Sequence, residues 1–164
     1  MAAADIDWRK AFALQALSDL AARDKLAEAS SEICHQLHFL QMASEKVCKA
    51  HLIEAKGYKN LQRRHDVIAK TLPVLAKQVF STENEFNPKY GQRAAIQRMA
   101  HEIELLSPSC EEESRPDNSE YPWSNRDGEV QIPCLHSFSS LVDDRRTMIQ
   151  VIQVIRRAAK RYAE

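Results

Sequence analysis

The run Arg63-Arg64-His65-Asp66 is the densest group of chemistry-bearing side chains in the sequence. Two guanidiniums ahead of a helix start, with the first amides of that helix, suit a phosphate. The ordinary alternative is that Asp66 caps the helix and the arginines are solvated. Arg145 and Arg146 add two cations on the last helix. Glu32-Ile-Cys-His35 has the carboxylate–histidine spacing of di-iron bundles, which need two such motifs and two further glutamates. Arg98-Met-Ala-His101 has Arg where the second motif needs Glu. His35 and His38 share a helix face, but the sequence offers them no obvious Cys or His partners for zinc. His51, on an apolar line, reads as a hydrogen-bonded core histidine. No P-loop, dinucleotide fingerprint or Ser/His/Asp arrangement is present. The expectation is no catalytic set, no metal and no cofactor. A phosphate or RNA backbone would be held by Arg63, Arg64, His65, Arg145 and Arg146.

The bulk properties restrict the partners. The chain has 164 residues, 44% hydrophobic and 28% charged, with a formal net charge of zero. That fits one soluble globular domain, residues 1–164, without a global field for nucleic acid. Charge is segregated locally. Lys56, Lys59, Arg63, Arg64, Lys70 and Lys77 face only Asp66 between positions 56 and 77, whereas positions 102–129 are acidic. The cysteines Cys34, Cys48, Cys110 and Cys134 form no C-x-x-C pair and follow no secretory signal. Reduced thiols and a cytoplasmic location are expected. No apolar run approaches the ~20 residues of a membrane span.

The elements that must position these groups are helical. Ser31 to Lys56 contains neither Gly nor Pro and predicts one central helix of roughly 39 Å. Ser30 or Ser31 would cap it, and Gly57 would end it in a left-handed turn. Ile33, Leu37, Leu40, Ser44, Val47 and His51 fall on one line; Glu45, Lys46 and Lys49, with Met42 and Ile53, lie opposite. A first helix runs from Asp5 or Asp7 to about Ala29, with Ile6, Ala13, Leu17, Leu20 and Ala21 inward. Trp8 and Phe12 then need cover from a loop or a second subunit. Asp66 caps a short helix that kinks or restarts at Pro73. Another helix runs from Pro88 to about Leu106, with Asn87 as its cap, after a loop at STENEF. Positions 107–137 form a long irregular loop with a turn signal at Asp127-Gly128, an EEES part expected to be mobile and a YPW part packed on the bundle. The last helix begins near Ser140, with Asp143 in capping-box spacing; Arg145 snorkels from its apolar stripe. The architecture is all-α: an antiparallel bundle of four to five helices with a long loop before the last.

Two stretches resemble a known family. Gln41-Met-Ala-Ser-Glu45-Lys46-Val-Cys-Lys49-Ala-His-Leu52 is similar to the central-helix motif of HEPN domains. His65-Asp66-Val67 with Leu72 resembles their following H-D-L motif, and Trp8 with Ser18-Asp19-Leu20 resembles their first helix. The resemblance covers Asp7 to about Lys77 and, by helix order, the last helix. It implies a helical bundle, often homodimeric, in nucleotide or RNA chemistry and in toxin–antitoxin or defence systems. Glu45, Lys46, Lys49, His65 and Asp66 would be its motif residues. Family ribonucleases carry an Arg followed by a His after four to six residues on the last helix. Here Gln150, Val151, Ile152 and Gln153 stand after Arg145 and Arg146 where that His belongs. The implied role is a non-catalytic domain binding a nucleotide, RNA or a partner protein. The alternatives are a ribonuclease with an altered site drawn from His65, Arg145 and Arg146, and a structural protein-interaction module.

Overall fold

The computed structural model describes residues 7–82, 90–110 and 117–164. Among them are five long helices, α1 (Trp8–Glu28), α2 (Ile33–Lys56), α4 (Ile68–Thr82), α5 (Tyr90–Glu104) and α7 (Arg145–Ala163). Two single turns, α3 (Tyr58–Leu61) and α6 (Ser139–Val142), join them. A hairpin of β1 (Trp123–Ser124) and β2 (Val130–Gln131) precedes a 3-10 turn, Pro133–Leu135. The expected all-α bundle is therefore present. Ile6, most of STENEF, Asn87-Pro88 and the EEES run lie outside the described residues.

Helices α1 and α2, α1 and α7, and α4 and α5 run antiparallel, as their end-to-end contacts require, whereas α2 and α7 run parallel. Arg9, at the head of α1, pairs with Glu54 near the end of α2, and Lys46 bonds to Asp19. Lys10 Nζ donates to the carbonyl of Glu164 beyond the end of α7, while Arg156 pairs with Asp24. Glu104, closing α5, reaches the head of α4. The core collects Leu20, Leu37, Leu40, Val47, Ile68, Leu72, Leu75, Ile103, Val151 and Ile155 from all five long helices. On α1 the inward stripe uses Ala16 rather than the expected Ala21, which is exposed.

Several helix ends differ from the local signals. Asp7 caps α1, its carboxylate accepting from the amide of Lys10 at 3.0 Å. Ser30 does not open α2. It closes α1 in a left-handed conformation (φ 53°), with its amide on the carbonyl of Ala27 and that of Ser31 on Leu26. This is the paired C-terminal motif normally built with Gly. The cap position of α2 falls to Glu32, whose side chain makes no capping bond. Gly57 has the expected positive φ of 73°, but ψ is 155°, an extended left-handed conformation open to Gly alone. That geometry turns the chain straight into α3.

Tyr58 on α3 then supplies the cover that Trp8 and Phe12 need. Its ring stacks on Trp8 at 3.7 Å between centroids and stands 6.3 Å from Phe12. Neither the long loop nor a second subunit is required there. Helix α4 does not restart at Pro73, which lies inside it, in the second turn. The missing amide forfeits one bond to Ala69, while burial of Ile68, Leu72, Leu75 and Ala76 holds the helix together.

The long loop is a built strap from Asp117 to Phe138. Asn125 accepts the amides of Asp127 and Glu129 at 3.0 and 2.9 Å, and Gly128 adopts φ 80° in the turn. Trp123 packs on the core, edge-on to His136, which is edge-on to the buried Phe138. Tyr121 stays 61% exposed, so only part of the YPW segment is packed. The last helix is two pieces: α6, and α7 capped by Asp144 through the amide of Thr147 at 3.1 Å, not by Ser140. Arg145 is the first residue of α7 and exposed.

Candidate functional site

The motif residues of α2 form a buried polar knot. Gln41, Glu45 and Lys49 lie one turn apart on the same face, and all three are buried. Glu45 accepts from Lys49 Nζ at 2.6 Å and from Gln41 Nε2 at 3.2 Å. The Nδ1 of His65 stands 3.1 Å from the same carboxylate. Glu45 and Lys49 keep only 8% and 4% exposure, so the face expected to be mixed is covered. Lys46 points the other way, to the buried carboxylate of Asp19.

His65 belongs to the bend between α3 and α4, and Arg64 and Asp66 on either side of it face another way. Arg64 clasps Asp66 through both Nε (2.8 Å) and its terminal nitrogen. That contact holds the Asp66 carboxyl below its ordinary range. Asp66 is thus occupied and does not cap α4. The amide of Ala69 is satisfied at 2.9 Å by Glu104, thirty-five residues away.

Arg64 and Asp66 line a cleft of about 400 Å³ between the end of α2, the bend and the first turns of α4. His51, Leu52, Lys56, Val67, Lys70, Thr71 and Val74 complete its wall. Three cations, Lys56, Arg64 and Lys70, face one carboxylate there. His51 is hydrogen-bonded, its Nδ1 2.8 Å from the Tyr162 hydroxyl. Burial, and then the charge of Arg9, lower its pKa, which favours the neutral ring. Burial likewise raises the Tyr162 phenol. The cleft offers point charges and hydroxyl or ring donors to an anion, with Leu52, Val67 and Val74 as apolar ground.

The expected site residues divide between two ends of the bundle. Arg64 is in the cleft, Arg63 is exposed outside its lining, and His65 turns inward to Glu45. Arg145 and Arg146 are not brought to them. Tyr162 contacts His51 at the cleft, and Arg145 lies seventeen residues earlier on the same helix, about 25 Å away. Asp144, beside Arg145, lines a different cleft with Arg98 and His101. Lys56, Lys70 and Thr71 were not singled out from the sequence. The lysines were visible only as members of the basic block, without the α-helical register that turns them to one side.

The remaining chemical groups are apart from this cleft. Among the described residues no group of three or more His, Cys, Asp or Glu is placed to hold a metal ion. His35 and His38 line a separate cleft with Cys34, Glu120 and Cys134. Burial raises the Cys48 thiol well above its ordinary value and pushes Cys110 up to about 11, aided by Glu104. No described helix is long and apolar enough to cross a membrane. Comparison with protein-family models, with curated proteins and with solved structures finds no match to this chain.

Proposed function

We propose that this domain is a HEPN-like, non-catalytic module that binds a phosphate-bearing ligand, a nucleotide or an RNA backbone, in the cleft between α2 and α4. The observation that carries the reading is the convergence of Lys56, Arg64 and Lys70 on one concave surface against a single carboxylate. A chain without net charge that concentrates cations in a cleft has a local field for polyanions. A cytoplasmic setting and a toxin–antitoxin or defence context belong to the same proposal, through the resemblance. So does a homodimer, for which the exposed Leu14 and Ile149, rather than Trp8 and Phe12, now supply apolar surface.

One observation favours a ribonuclease as the second reading. A buried carboxylate orients His65, whose side chain is 43% exposed, which is how a general base is prepared. The two readings separate on incubation with a labelled single-stranded RNA, resolved on native and denaturing gels. The binding reading expects a retarded complex containing intact RNA. Cleavage that disappears in His65→Ala would replace it with the second reading.

A further inference from the structure

Two of the four cysteines share a cleft at the opposite end of α2. Cys34, in the first turn of that helix, is buried, and Cys134, in the middle of the 3-10 turn, is exposed. Both line a cleft of about 430 Å³ between the head of α2 and the strap, and the 3-10 turn packs directly on α2. Burial raises the Cys34 thiol, and negative charge on Cys134 adds to that rise. The other two cysteines, Cys48 and Cys110, are buried and do not line this cleft. An accessible thiol beside a shielded partner is the arrangement of a peroxide-sensitive pair.

We propose that Cys134 and Cys34 are a dithiol that hydrogen peroxide oxidises to a disulfide, pinning the hairpin strap to α2. The Cys134 thiolate attacks the peroxide O–O bond and becomes a sulfenic acid, and the leaving hydroxide takes up the proton that the thiol gave up and departs as one water. The Cys34 sulfur then displaces the sulfenic oxygen, which departs with the Cys34 proton as a second water. Two thiols lose two electrons and the peroxide gains them. His38, one turn along α2 from Cys34 and lining the same cleft, is the neighbouring base for that proton. A disulfide needs its Cα atoms about 4.4–6.8 Å apart. The strap, with its two-residue strands and three-residue turn, makes that adjustment more readily than a long helix. Tyr121, Pro122 and Ile132 stand on the same cleft, so the bond narrows it.

The test is peptide mapping of the full chain after reduction, hydrogen peroxide treatment and alkylation under denaturing conditions. The expected product is a monomer lighter by two hydrogens, with the Cys34 and Cys134 peptides linked and Cys48 and Cys110 alkylated. Cys134→Ser, at an exposed position, removes the link while circular dichroism stays unchanged. Cys34→Ser leaves Cys134 as a sulfenic acid that dimedone traps. A wild-type protein in which Cys134 is trapped as sulfenic acid while Cys34 stays free overturns the proposal. A Cys134–Cys134 dimer between two chains does the same.

Discussion

Leu40→Asp is expected to cost more than about 4–5 kcal/mol and to lower the melting temperature by roughly 10–20 °C. Leu40 sits in the third turn of α2 with 1% exposure, in the cluster with Leu37, Val47, Leu72, Val151 and Ile155. The lysines of α2 that are bonded to Asp19 and Glu45, Lys46 and Lys49, are already engaged, so a carboxylate there gains no partner from them. It must be desolvated unpaired, or be protonated, or force the helices apart. Thermal unfolding followed by circular dichroism is the check. A variant melting within a few degrees of wild type would remove Leu40 from the core and α2 from the centre of the bundle.

Lys49→Met is expected to destabilise by about 3–5 kcal/mol, although Met is a good helix former and fits the apolar surroundings. The loss comes from Glu45, left buried with Gln41 and His65 as its remaining partners. The double variant Glu45→Leu/Lys49→Met removes both charges and is expected to recover most of that loss, since a buried ion pair gives little net stability over apolar packing. Chemical denaturation of the wild type, both single variants and the double variant gives the coupling. Additive effects would mean that Glu45 and Lys49 do not act as one buried unit.

These residues also mark where the sequence stops being legible. The α2 register was readable because its apolar line repeats at the helical period from Ile33 to Val47. Burial of Glu45 and Lys49 was not, since charged residues are normally solvated. Their burial depends on elements that pack on α2 from other parts of the chain, among them the bend that brings His65 to Glu45. The bond between Lys49 and Glu45, four residues apart, was the one local hint. Asp66 carried a sound local capping signal that Arg64 and Glu104 overrode, the latter from another helix. The restart that Pro73 signals was also sound locally and lost to packing. Arg145 and Arg146 were grouped with Arg63 and Arg64 by type alone. Helix direction decides their separation, because α7 runs its full length before Tyr162 reaches His51.

Binding of a labelled single-stranded RNA by fluorescence anisotropy tests the phosphate cleft most directly. Lys56, Arg64 and Lys70 neutralising three phosphates predict a slope of about −2 for log affinity against log salt. Affinity then falls about 20-fold between roughly 50 and 200 mM salt. Lys56→Glu/Lys70→Glu is expected to abolish binding, with stability changed by no more than about 0.5 kcal/mol at each exposed site. Arg145→Glu/Arg146→Glu, at the far end of α7, is expected to bind as wild type does. Unchanged affinity in the Lys56/Lys70 variant, or loss of binding in the Arg145/Arg146 variant alone, would contradict the assignment of the cleft.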